Sequence, residues 1–116
     1  MSKRNSYSVL AILIAAILFT SSFAYGSEYD KGKALYDEKC MICHGANGKG
    51  DGPAAAALSP APKDFSKPEF WNREDVVEII TNQVKKGKGS MPAFNLSDDE
   101  IKAIIDYMSH TFKKSS

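Results

Sequence analysis

The chain has 116 residues, 15 basic against 14 acidic, with 43% hydrophobic residues, 25% charged residues and two cysteines. That is one globular domain plus a short extension, too small for a multidomain enzyme. A formal charge of +1, with basic and acidic residues interspersed, excludes the strongly basic face of a nucleic-acid binder.

The first predicted element is apolar. Val9 to Phe19 is an unbroken run of eleven hydrophobic residues, behind Lys3 and Arg4 and ahead of the small and polar SSFAYGS. This is the three-part pattern of a secretory signal. A helix crossing a bilayer needs roughly 20 apolar residues, so the run favours export and cleavage over a permanent anchor. Ala24-Tyr25-Gly26 puts small residues at the two key positions, so residues 1–26 read as a signal peptide and 27–116 as the mature domain, with a cut after Ala24 as the alternative. No cysteine lies near either cut, which argues against a lipid-anchored lipoprotein. Without Lys3 and Arg4 the mature chain has 13 basic and 14 acidic residues. A domain this small buries only roughly 60 to 65% of its unfolded surface, and such domains lean on a disulfide, metal or cofactor.

Ser27 with Asp30 can cap the next helix, and Gly32, Leu35, Tyr36 and Cys40 then share one of its faces. This helix delivers both cysteines of the chain in Cys40-Met41-Ile42-Cys43-His44, the C-x-x-C-H signature of covalent haem attachment. Two thiols three positions apart can reach the two vinyl groups on one porphyrin edge, and the next residue brings its imidazole under the iron. A Cys40–Cys43 disulfide of thioredoxin type would need a βαβ context, and the sequence has no convincing strand run. A zinc site would have only Cys40, Cys43, His44 and distant His110 to draw on, two of them adjacent and poorly placed to share a tetrahedron.

From His44 to Phe70 runs a Gly/Pro/Ala/Lys-rich stretch without sustained periodicity, with one helical turn at Ala54 to Leu58. A loop this long is unusual in a compact domain unless its backbone runs along a flat cofactor. Asn72 and Asp75 open a middle helix whose apolar stripe is Val76, Val77, Ile80 and Val84, closed by Lys85, Lys86 and Gly87. The last helix begins at the capping box Ser97-Asp98-Asp99-Glu100, with Leu96 and Ile101 as a hydrophobic staple and Ile101, Ile104, Ile105, Met108 and Phe112 at helical spacing. Between these two helices lies Met91, flanked by Gly87, Gly89 and Pro92. Of the candidates for the sixth iron position, Met41 falls inside the attachment segment, Met108 on a core stripe and His110 on a polar face. Met91 is therefore the expected ligand, since the glycines let the backbone approach a porphyrin and Pro92 fixes the chain just after the thioether.

Across GKALYDEKCMICHGANGKGDG, EIITNQVKKGKGSMPAF and LSDDEIKAIIDYM the mature chain resembles the class I monohaem cytochromes c, particularly the small exported bacterial ones. The resemblance implies an all-α fold, three to four helices wrapped around one covalently bound haem c, with a long Gly/Pro-rich loop. It implies thioethers at Cys40 and Cys43, axial ligation by His44 and Met91, and a crossing of the first and last helices with Gly32 and Tyr36 against Ile104 and Tyr107. In the family a proline carbonyl accepts the N–H of the proximal histidine, and Pro53, Pro60 and Pro62 all compete for that place. Trp71 is read as an aromatic core residue in preference to a haem-propionate donor.

With both axial positions filled by protein, what remains is outer-sphere electron transfer, and a thioether ligand raises the potential relative to a second histidine. The expected function is a periplasmic one-electron carrier, a monomer and not an enzyme. Its redox partners would meet it through an acidic surface facing Lys85, Lys86 and Lys88. The alternatives are a haem peroxidase or gas sensor in which Met91 dissociates, and a subunit tethered by its uncleaved signal helix to a membrane oxidase or reductase. Apart from His110 the sequence has no distal acid–base group for the first of these.

Overall fold

The computed structural model describes the backbone of residues 3–113 and the side chains of 7–14 and 26–113. The elements in chain order are α1 (Lys3–Lys39), α2 (Met41–His44), a single 3-10 turn (Ala55–Ala57), α3 (Pro68–Trp71), α4 (Val76–Lys86) and α5 (Asp98–Phe112). Among the described residues there is no strand, and the one bridge of sheet type joins Lys88 to Met91. The fold is all-α, as the resemblance implies, with three long helices and two of a single turn.

α1 departs from its predicted start. Ser27 is an interior residue of a helix that runs on from Lys3. No proline interrupts residues 3–39, and its two glycines, Gly26 and Gly32, cost only about 1 kcal/mol each against alanine, so nothing in the sequence stops the helical run. Its first turns stand apart from the core, with Val9, Leu10, Ile12, Leu13 and Ile14 all more than half exposed. Lys3, Arg4 and the Ala24-Tyr25 pair of the expected signal lie outside the residues whose side chains are described. Among the described residues no helix is long and apolar enough to cross a membrane.

The core is the crossing of α1 on α5, continued by α4. A Cβ placed on Gly32 would lie 1.9 Å from the Ala103 carbonyl oxygen, so only glycine lets the two backbones meet here. Gly32 meets the Ala103 backbone, with Tyr107 beside it, and Ile104 is buried in the core. Tyr36 is fully buried, with its ring 5.4 Å from Tyr107 and 5.2 Å from Phe112. α5 starts as predicted, the Glu100 N–H donating to Ser97 Oγ at 3.2 Å and the Ser97 N–H to Glu100 Oε2 at 2.8 Å.

α4 starts at Val76, after Asp75, whose carboxylate takes two hydrogen bonds from Arg73 instead of capping the helix. Its buried residues are Ile80 and Val84; Val77, predicted on the stripe, is 56% exposed because the face turned inward begins at Val76. Asn72 closes α3, a turn absent from the sequence reading. Pro68 occupies its first position, where a missing N–H costs nothing, and Lys67 before it is extended, as a residue preceding proline prefers.

Candidate haem site

The C-x-x-C-H segment makes one tight turn after α1. The Cys40 N–H donates to Tyr36 O at 2.9 Å, and the His44 N–H to Cys40 O at 2.9 Å. The four carbonyls that this turn exposes are all answered by the glycine-rich loop. Gly45 N–H donates to Met41 O, Ala54 to Ile42 O, Gly52 to Cys43 O and Gly50 to His44 O, at 2.8 to 3.0 Å. Gly52 in particular has no room for a side chain, since a Cβ there would meet Ile42 O at 2.4 Å. The buried Tyr36 hydroxyl donates to Gly45 O at 2.8 Å, and burial pushes its pKa well above the ordinary tyrosine value. The first half of the long loop therefore knits back onto the cysteine turn. Its second half lines the adjoining cavity at Leu58, Pro60, Ala61, Pro62, Lys63, Phe65 and Phe70.

That cavity has a volume of about 470 Å³, within the range of ligand pockets. Cys40, Cys43 and His44 line it from one side; Ile80 and Val84 come from α4, Met91 and Phe94 from the α4–α5 loop, and Ile104 and Met108 from α5. All four residues singled out by sequence thus open onto one space. The two cysteines form no disulfide, and burial pushes the Cys40 pKa up to about 11. His44 is buried, stacked on Phe65 with ring centroids 4.6 Å apart, and its Nδ1 lies 3.1 Å from the Lys63 carbonyl. Donation from Nδ1 to that carbonyl leaves Nε2 as the lone-pair nitrogen. Burial holds the imidazole below its ordinary pKa, which the bond to Lys63 partly offsets. The acceptor is none of Pro53, Pro60 and Pro62; it is the carbonyl of the residue after Pro62.

Met91 is held by its backbone. Lys88 and Met91 exchange two hydrogen bonds at 3.0 Å across Gly89-Ser90, with Gly89 at φ +58°, a conformation that favours glycine. The Phe94 N–H donates to Val84 O at 2.7 Å, tying the far end of the loop to α4. Met108, predicted as core, is 3% exposed and forms part of the cavity wall. Met41 is half-buried against the core and does not line the cavity. His110 is exposed on α5, its Nδ1 2.9 Å from Asp106 O, and so joins neither the cysteines nor the cavity. Trp71 is buried and its Nε1–H donates to Phe65 O at 2.7 Å, which commits its one donor to the backbone.

The charged residues lining the cavity are Lys39, Lys63, Arg73 and Lys88, with no acidic one among them. Arg73 escaped the sequence reading, because nothing in its neighbourhood of the chain marks it as cavity-lining. Two free thiols three residues apart, an imidazole with one nitrogen anchored, a thioether from another loop, apolar walls and a cationic border fit an iron porphyrin with anionic carboxylates.

Comparisons with known proteins identify the family. The family model described as cytochrome c oxidase, cbb3-type, subunit III matches residues 27–108. Similar curated relatives include the cytochrome c6 of Gracilaria tenuistipitata var. liui, 32% identical over 104 residues that cover 86% of this chain and 90% of the relative. The cytochrome c6 of Cyanidium caldarium is 27% identical over 108 residues, covering 90% and 91%. That of Leptolyngbya boryana is 37% identical over 79 residues, covering 66% and 85%. The family match takes in the attachment turn and Met91, and this chain belongs to the class I monohaem c-type cytochromes, electron-transfer proteins with one covalently attached haem c and not enzymes.

Proposed function

We propose that residues 27–116 act as a periplasmic one-electron carrier whose haem is bound by thioethers at Cys40 and Cys43 and ligated by His44 and Met91, residues 1–26 being removed on export. The observation that carries this reading is that these four side chains line one cavity. The haem supplies a reversible one-electron couple at a positive potential when its axial ligands are histidine and methionine. The chain supplies the rest. The Lys63 carbonyl orients the imidazole, the Lys88–Met91 bridge fixes where the thioether starts, and the apolar walls keep water away. With His44 and Met91 both committed to the haem, the chain would leave oxygen or substrate no open coordination position.

The names of the relatives as cytochromes c6 support a mobile carrier. The cationic border supports redox partners with acidic docking surfaces, and it differs from the expected set. Lys88 lines the cavity, joined by Lys39, Lys63 and Arg73, and neither Lys85 nor Lys86 lines it. A tethered form has one observation in its favour, the continuity of α1 from the exposed apolar turns into the cysteine-bearing end. The amino-terminal residue of the protein recovered from cells separates the two forms.

The carrier reading is tested on the purified holoprotein by potentiometric titration and by exposing the reduced form to carbon monoxide. It predicts one transition of a single electron and an unchanged spectrum under the gas. Rapid carbon monoxide binding at neutral pH would support a sensor or peroxidase-like site.

A further inference from the structure

Residues 59–63 touch both sides of the cavity. At one end the Ser59 carbonyl accepts a hydrogen bond from Ser90 Oγ at 3.0 Å, and Ser90 immediately precedes Met91. Beside it, a Cβ placed on Gly89 would lie 3.3 Å from the Pro60 ring, so the turn carrying Met91 rests directly on this segment. At the other end the Lys63 carbonyl accepts from His44 Nδ1 at 3.1 Å. Between the two ends the chain reads Pro60-Ala61-Pro62, and two prolines with fixed φ give it little freedom to flex.

Among the described residues, the other backbone hydrogen bonds that tie the Met91 loop to the rest of the chain go to α4, Gly87 N–H to Gln83 O at 2.8 Å and Phe94 N–H to Val84 O at 2.7 Å. The Lys88–Met91 bridge is internal to the turn and cannot set its distance from the opposite wall. Among the described residues, the only side-chain hydrogen bond from the turn to the 59–63 segment is that of Ser90.

We propose that Ser90 is a positioning residue. Its hydroxyl straps the Met91 turn to the 59–63 segment, and that segment braces the methionine side of the haem pocket against the histidine side. This rests on Met91 as the axial ligand. Displacing the thioether requires the turn to swing outward and break the Ser90–Ser59 bond. The strap therefore enters the equilibrium between closed and open turn, and the apparent affinity of an external ligand follows the open fraction.

The test is imidazole titration of the oxidised holoprotein, followed by the far-red sulfur-to-iron absorption band. Ser90→Ala should bind imidazole roughly 3- to 10-fold more tightly than the parent, the scale of one modest hydrogen bond. Ser90→Thr, which keeps the hydroxyl, should return the affinity to within about 2-fold of the parent. Ser90 is exposed, so both variants should fold and carry haem, and the helical circular dichroism is expected to be unchanged. Unchanged imidazole affinity in Ser90→Ala, or equal affinities in the Ala and Thr variants, overturns the strap while leaving the ligand assignment intact. Persistence of the far-red band in Met91→Ala overturns the ligand assignment and the strap together, so the two failures are distinguishable.

Discussion

Lys85 and Lys88 lie three residues apart and have different roles, which the sequence alone does not separate. Both follow the α4 stripe, and a helix C-terminus favours lysine through its dipole whatever else the residue does. In the fold Lys85 reaches Asp98 in the first turn of α5, while Lys88 lies beyond Gly87, where the chain has left the helix and turned to the cavity. Changing Lys63 and Lys88 to Gln together should slow electron transfer to an acidic redox partner and flatten its ionic-strength dependence. Lys85→Gln should leave both nearly unchanged. Stopped-flow rates across a salt series measure this, and equal effects from the two sets would remove the cavity border as the docking surface. The same contrast explains which residues were legible. Cys40, Cys43, His44 and Met91 are chosen by side-chain chemistry at a fixed spacing. The acceptor for His44 is a backbone carbonyl that any residue could supply, and Arg73 reaches the cavity only because α3 and α4 place it there.

At the scale of elements, the best predicted feature is α5, because its capping box and apolar stripe are local and agree with each other. The start of α1 was not legible, since a cap signal at Ser27 carries weight only if the preceding residues are not helical, and here they are. α3 escaped notice for want of length: four residues give no periodicity, and only Pro68 at its first position marks it. The role of the glycine-rich loop was legible in part. Its composition predicts a backbone running along a cofactor, whereas Gly45, Gly50 and Gly52 bring amides onto the carbonyls of the cysteine turn. The crossing of α1 and α5 depends most on one residue. Gly32→Ala forces a methyl group into the Ala103 backbone, whose carbonyl carbon and oxygen would lie 2.5 and 1.9 Å away. Neither is the free end of a side chain, so the helices must separate, and the loss should reach or exceed the ~1–3 kcal/mol typical of overpacking. Thermal unfolding of the holoprotein checks this; a midpoint unchanged from the parent would show that the crossing has slack.

On the scale of the whole molecule, the chain is arranged so that distant segments close one space. The cysteine turn hangs from α1, the methionine turn from α4, and α5 lies across both with Ile104 and Met108 in the wall. Two methionines therefore line the cavity, and they differ in how they are held. Met108 is on a helix and buried among core residues, while Met91 is on a turn pinned at Lys88, Phe94 and Ser90 and is half-buried. A core methionine gives packing, and its truncation costs ~2–5 kcal/mol without touching the iron; a ligand methionine gives the iron its sulfur. The far-red sulfur-to-iron absorption band of the oxidised holoprotein distinguishes these directly when Met91→Ala and Met108→Ala are compared. The band should vanish in Met91→Ala, with carbon monoxide now binding the reduced form, and persist in a less stable Met108→Ala. Retention of the band in Met91→Ala, or its loss in Met108→Ala alone, would contradict the assignment of His44 and Met91 as the axial pair.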